Sequence, residues 1–234
     1  MSEHEQQTTP DTDETLAYTL WAVFRRNPDA TATSSAAATN ELADVVNSLP
    51  GSNVTLRGIY DVSGFRADAD LMVWVHGSSA ESLQCAYRRL RGTELFSTLL
   101  PQWNAMGVHR DAEFTRDHRP AFMRGLEPRN WVVVYPFVRS YEWYILPADE
   151  RRQMLAEHGR LGAGFKTVLT HTVAAFGLGD YEWILPLESN ELIDIVDVIR
   201  ALRATNARLH VREEVPFFTG RRIDVADVAG LLSE

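Results

Sequence analysis

The chain has 234 residues, 23 Lys and Arg against 32 Asp and Glu, a formal charge of −9 and a single cysteine, Cys85. One cysteine excludes an internal disulfide framework and any zinc or iron–sulfur site built on cysteines of one chain. The negative balance argues against nucleic acid as the main partner. No apolar run reaches the ~18 residues of a membrane span, and the opening residues resemble no signal peptide, so a cytoplasmic protein with no membrane span is expected.

Residues 1–14 hold Glu3, Glu5, Asp11, Asp13 and Glu14 with no Lys or Arg. Such a segment cannot bury enough apolar area to offset its ordering entropy, so a disordered acidic arm is expected. TLAYTLWAVFR is rich in aromatic and β-branched residues and reads as a strand. NPDATATSSAAATN reads as a loop, and Asn40, Glu41 and LADVVNSL as a helix stopped at Pro50-Gly51. Strands follow over 54–62 and 69–77. Ser79 opens a helix over about 80–92, with Leu83, Tyr87 and Leu90 at helical spacing. A strand from 101 closes this half.

The second half repeats the order. WVVVYPFVRS (131–140) reads as a strand, and Pro147 begins a helix to about Gly162, a position proline favours. VLTHTVAAFGL and YEWILPLES form a hairpin across Gly179-Asp180, Asn190 caps a helix, and RLHVREEVPFF (208–218) closes the unit. The repeat also shows locally: 71–94 and 181–206 each run strand, serine-containing cap, then a helix ending in Arg-Leu-Arg or Ala-Leu-Arg. The expected fold is α+β: two ferredoxin-like βαββαβ units forming a dimeric α+β barrel within one chain. The expected boundaries are 15–111 for the first unit, 112–130 for a linker, 131–220 for the second unit and 221–234 for a C-terminal tail. The linker is longer than a plain connection needs, and such loops often carry function.

No HExxH, GxGxxG, GxSxG or Walker loop is present, so the commonest zinc, dinucleotide, hydrolase and P-loop chemistries lack a motif. Individual residues remain. His158 shares a helix face with Met154, Leu155, Leu161 and Phe165, whereas Arg151, Arg152, Glu157 and Arg160 fall mostly off it. Gly159, Gly162 and Gly164 thin the side chains around it, so a flat macrocycle could approach and one imidazole reach its iron. A core histidine bonded to a backbone carbonyl would give the same pattern. Tyr135 and Arg139 share a strand face by the period of two, and both donate hydrogen bonds that suit a carboxylate. They could equally be a packed tyrosine and a strand-end arginine. Pro136 cannot donate to a ladder and suggests an edge or bulge. The linker run RDHRP places His118 among Arg116 and Arg119, with Arg124 and Arg129 beyond, and reads either as a solvated loop or as a basic loop over an anionic ligand. Trp143 and Trp183 stand at strand ends where they could stack on a planar ligand or fill core. His171 is the other histidine of this half that could face a cofactor.

Together, Tyr135-Pro136-Phe137-Val138-Arg139-Ser140, His158-Gly159-Arg160, Leu178-Gly179-Asp180-Tyr181-Glu182-Trp183 and Val215-Pro216-Phe217-Phe218-Thr219-Gly220 resemble the coproheme decarboxylases of the chlorite-dismutase superfamily, especially their actinobacterial branch. The resemblance covers essentially the whole chain after the acidic arm. It implies a haem-binding second unit and a homopentamer, with the upstream coproporphyrin ferrochelatase as a possible partner. It implies peroxide-dependent oxidative decarboxylation of two propionates of iron coproporphyrin III to vinyls, giving haem b and two CO2 through a monovinyl intermediate. His158 would be the proximal iron ligand, Tyr135 the radical-forming catalytic residue and His118 the distal base. Arg139, Trp143, Trp183 and His171 would contact substrate. Chlorite dismutases proper carry a distal arginine in the strand that here reads VLTHTVAAF, so the resemblance does not extend to chlorite decomposition; Thr170 or His171 stands in that region. A non-catalytic haem-binding or delivery protein of the same fold would share His158 without needing Tyr135 beside Arg139.

The charge is uneven. Without the arm, 23 bases face 27 acids. Arg116, Arg119, Arg124, Arg129 and Arg139 fall close together, so a local basic patch for a carboxylate-rich ligand is expected there.

Overall fold

Strand and helix patterning sets up two units of the same topology. A computed structural model describes residues 17–30, 35–110 and 119–233. The acidic arm, Arg116 and His118 lie outside the described residues. The first unit comprises β1 (Tyr18–Arg26), α1 (Ala36–Ser48), β2 (Val54–Asp61), β3 (Leu71–Gly77), α2 (Ala80–Arg91), a one-turn α3 (Glu94–Ser97) and β4 (Leu99–Val108). Its antiparallel sheet has the order β4-β1-β3-β2. α1 begins four residues before the expected Asn40, because the Ser35 side chain caps it by accepting the Ala38 N–H at 3.0 Å and alanines favour helix. α2 begins at the expected serine: Ser79 accepts from the Ser82 N–H.

The second unit comprises β5 (Trp131–Arg139), α4 (Ala148–Gly162), β6 (Leu169–Thr170), β7 (Val173–Ala174), β8 (Trp183–Ser189), α5 (Leu192–Leu202), β9 (Val211–Glu213) and β10 (Phe218–Ile223). The expected 168–178 strand is split into β6 and β7, both paired to β8, with His171 at the break. The expected closing strand is likewise two pieces, β9 and β10, separated around a cis Val215–Pro216 bond; proline lacks the ladder N–H. Pro136 is not on an edge. β5 pairs with β8 on one side from Trp131 to Phe137, and Pro136 lies opposite the gap between β9 and β10 on the other. There its missing donor costs no ladder bond.

The expected barrel forms because each edge of one unit finds an edge of the other. β10 pairs with β2, β7 pairs with β4, and β8 pairs with β5, so the sheet closes. Both seams need glycine. A Cβ on Gly107 would collide with Val173, and one on Gly220 would lie 2.8 Å from Tyr60 Cβ and Val62 Cγ1 and 3.1 Å from the Asp61 carbonyl. Residues 221–233, expected as a tail, instead finish β10 and form α6 (Val228–Ser233), whose Val228, Ala229 and Leu232 join the core of the first unit beside α1.

The barrel interior is apolar, built from Trp21, Trp74, Val132, Val134, Ile184 and Phe218 among others. One polar network crosses it. Buried Arg57 of β2 donates through Nη2 to Glu188 Oε2 of β8 at 2.6 Å and through Nη1 to the Leu126 carbonyl at 2.5 Å. His171 Nε2 stands 2.9 Å from the same Glu188 oxygen, and Nδ1 accepts the Phe122 N–H at 3.2 Å. His76, beside Phe122, completes the group. No helix among the described residues is long and apolar enough to cross a membrane.

Two expectations follow. Gly220→Ala should destabilise the fold by about 1–3 kcal/mol, since backbone and two side chains must yield at a seam; a urea midpoint unchanged from wild type would disprove the steric reading. Burial, then the nearby Arg57 charge, lowers the His76 pKa to about 4. As pH falls from about 6.5 toward 4, the unfolded chain takes up a proton that the folded one refuses, so His76 should subtract about 3 kcal/mol of stability across that window. His76→Phe should flatten the stability–pH curve there, as read from denaturant midpoints at stepped pH.

Candidate functional site

Barrel closure leaves each unit one outer sheet face, to be covered by helices. In the first unit α1, the counterpart of α4, buries Ala38 and Leu42 in the core. In the second, no residue of α4 is buried. α4 stands off the sheet, and a cavity of about 490 Å³ lies between α4, the C-terminal end of α5 and strands β5 and β8. This is within the ordinary range for a small-molecule or cofactor site.

The strand period builds one wall. Val132 and Val134 face the barrel interior, so Tyr135, Phe137 and Arg139 face the cavity. Their neighbours on β8, Leu185 and Trp183, pair with Tyr135 and Phe137 and line the same wall. Tyr135 is buried and stacks on Phe217 with centroids 4.3 Å apart. Burial, then the charge of Glu214, holds its phenol protonated well above the usual value of 10. The Arg139 guanidinium lies 4.2 Å over the Trp143 ring, and its backbone N–H is fixed by Glu182. Trp143 is buried at the cavity edge; Trp183 stacks on Phe137 and donates through Nε1 to the Tyr144 hydroxyl at 3.1 Å.

α4 builds the opposite wall with Leu155, His158 and Gly159, while Leu161 is turned out to solvent at 41% exposure. Glycine at 159 leaves open space where a Cβ would stand. Burial, then the Arg139 charge, lowers the His158 pKa, so the imidazole is neutral at physiological pH. A neutral imidazole in an apolar cavity is a competent ligand for haem iron. Among the described residues no cluster of three His, Cys, Asp or Glu could hold a bare metal ion.

The cavity is cationic. Arg139, Arg152, Arg160, Arg203 and Arg208 line it against one acid, Glu214, which Arg203 and Arg208 grip at 2.6 and 2.5 Å. A planar apolar body with carboxylate arms matches such walls, since arginine binds carboxylate bidentately.

The structure thus brings Tyr135, Arg139, Trp143, His158 and Trp183 to one cavity. It does not bring His171 there. That side chain is fully buried on the barrel side of the sheet, held by Glu188 and the Phe122 N–H, and neighbouring Thr172 lines the cavity instead. Strand alternation gives adjacent residues opposite faces, so His171 is a core residue and not a substrate contact. Nor do Arg119, Arg124 or Arg129 line the cavity. Its cations come from β5, α4, the end of α5 and the turn after it, segments that only folding brings together. Arg203, Arg208 and Glu214 belong to no sequence motif; Arg160, adjacent to the His158-Gly159 pair, was the one signal available.

A chlorite dismutase family model matches residues 35–223. The coproheme decarboxylase of Mycolicibacterium smegmatis is 48% identical over 219 residues, 93% of this chain and 95% of that protein. The structure of chlorite dismutase from Candidatus Nitrospira defluvii in complex with imidazole superposes with a TM-score of 0.80 at 22% identity, covering 93% of this chain and 95% of that one. A protein of Haloquadratum walsbyi named for heme binding is 32% identical over 94 residues, 40% of this chain and 18% of that protein.

Tyr135 should remain a phenol through pH 10. In an absorbance titration the wild type minus Tyr135→Phe difference should show no phenolate rise until well above that value; a rise centred near 10 would place the hydroxyl in water.

Proposed function

Because the chain belongs to the chlorite dismutase family, we propose that it is a coproheme decarboxylase, which uses two hydrogen peroxide molecules to convert two propionates of iron coproporphyrin III to vinyls. The products are haem b and two CO2. The observation that carries this reading is the pairing of walls: an imidazole on α4 faces a buried phenol and an arginine on β5 across a cavity lined by five arginines. A haem carrier needs the first wall and the cations. It has no use for a buried phenol held protonated on the opposite wall.

His158 would hold the iron, and the open space at Gly159 would let a macrocycle approach α4. Iron porphyrin supplies the oxidising power when peroxide reacts with it. His118, in the linker, takes the peroxide proton, a general-base role that an imidazole suits. Tyr135 gives up an electron and its phenolic proton and becomes a radical. That radical removes a hydrogen atom from the propionate β-carbon, regenerating the phenol. Loss of one further electron and of CO2 then leaves the vinyl, and the second propionate follows through the monovinyl intermediate. Arg139, steadied over Trp143, keeps the reacting propionate ionised, as loss of CO2 requires. Trp183, which lines the same wall, would offer a face for the ring system to stack on. Thr172 offers no guanidinium, so chlorite decomposition is not expected. On the family resemblance the working form is a homopentamer supplied with coproheme by the upstream ferrochelatase.

The test mixes apoprotein with ferric coproporphyrin III, records the Soret band, then titrates peroxide and follows product masses. Stepwise loss of two carboxyl groups is expected in wild type. Tyr135→Phe should bind with the same Soret shift and lose none, and His118→Ala should bind normally yet turn over at least tenfold more slowly. A Soret shift without mass loss in wild type would leave a haem-binding protein, and full turnover by Tyr135→Phe would remove that residue from the mechanism.

A further inference from the structure

His158 has a protein partner behind it. Its Nδ1 lies 3.2 Å from Thr205 Oγ1, and Thr205 Oγ1 lies 2.9 Å from the carbonyl oxygen of Leu202. A hydroxyl has one proton to give. A carbonyl can only accept, so that proton belongs to the Leu202 oxygen. Toward the imidazole, Thr205 is then an acceptor, and His158 must carry its ring proton on Nδ1. In a neutral ring the lone pair falls on Nε2.

We propose that Thr205 is a positioning residue for His158: its hydroxyl, tied to the end of α5, fixes the ring in the Nδ1–H tautomer and presents the bare Nε2 to iron. This rests on the reading of His158 as the iron ligand. The chain of bonds has a local cause. Leu202 is the last residue of α5, where helix carbonyls lack intrahelical partners, and a threonine three residues on can bond back to one. Thr205 is itself buried, so water does not compete for its lone pair. The adjacent residues form a second clasp: Asn206 donates from its backbone and side-chain nitrogens to Glu157 Oε2 at 3.4 and 3.2 Å. α4 is thus docked on the turn after α5 at two neighbouring points, of which one orients the ring and the other holds the helices together. Because the acceptor is a neutral hydroxyl and not a carboxylate, His158 remains an ordinary imidazole with little imidazolate character, a setting of ligand basicity made by the residue behind the ligand.

Thr205→Val preserves shape and leaves the Glu157–Asn206 clasp intact; Thr205→Ser restores the acceptor. Histidine-selective 15N NMR of the apoprotein, with His158→Ala identifying the signals, reads the tautomer without any iron. Wild type and Thr205→Ser should show Nδ1 protonated, and Thr205→Val an average of both tautomers. With ferrous coproporphyrin III bound, the iron–imidazole stretching band should move to lower frequency in Thr205→Val and return in Thr205→Ser. Affinity for ferric coproporphyrin III should fall about tenfold in the valine variant. A valine variant with the wild-type tautomer, or with an unmoved stretching band, overturns the proposal while leaving His158 as ligand. A His158→Ala protein that binds ferric coproporphyrin III with the wild-type Soret band overturns the ligand reading, and this proposal with it.

Discussion

Closure of the sheet is the constraint on which the rest of the structure depends. Ten strands join in one hydrogen-bonded system, and the outer strands of each unit are used up in pairing with the other. The interior is filled with tryptophan, phenylalanine and valine. The candidate cavity lies instead on the outer face of the second unit's sheet, under its helices.

The two units answer that constraint differently although their topology is the same. α1 buries Ala38 and Leu42 in the core, and α2 and α5 each bury an apolar face. α4 presents Leu155, His158 and Gly159 and is held off, docked not on strands but on the turn after α5 through His158–Thr205 and Glu157–Asn206. A helix anchored at its flank can leave a gap beneath it without falling in. The same sheet face supplies Tyr135 and Arg139 because strand alternation puts every second residue of β5 into that gap. Burial then raises the phenol's pKa and lowers the imidazole's, so both groups face the cavity in their neutral forms.

The barrel's inner face carries its own charged group, which must be kept distinct from the cavity. Arg57, Glu188 and His171 are all buried, and a buried ion pair is stabilising only when its remaining donors and acceptors are used. The Leu126 carbonyl takes an arginine N–H, and the Phe122 N–H finds the imidazole. The network ties β2 of the first unit and β8 of the second to residues 122–126 of the linker. It braces the junction of the two units, one residue away in sequence from the cavity-facing Thr172 and on the opposite side of the sheet.

Much of this was legible in the sequence because it depends on local periodicity. The repeated βαββαβ order, the Ser79 cap, the start of α4 at Pro147 and the shared face of Tyr135 and Arg139 all follow from spacings of two or 3.6 residues within one segment. The glycine-flanked His158 on a helix face belonged to the same class of signal. What periodicity could not settle was which face of a split strand looks where: His171 and Thr172 differ by one residue, and only the pairing of β6 and β7 with β8 sends the histidine into the barrel. The basic patch read around residues 116–139 reflected closeness along the chain, whereas the cavity's arginines come from four separate segments and meet only when α4 and α5 are folded over β5. The seam glycines, the buried ion pair, the docking of α6 and the Thr205 contact are likewise long-range, fixed by which surfaces touch. The sequence by itself determined the elements and the residue types able to do the chemistry; the tertiary structure decided which of them share a cavity, because that depends on barrel closure and on a helix held away from its sheet.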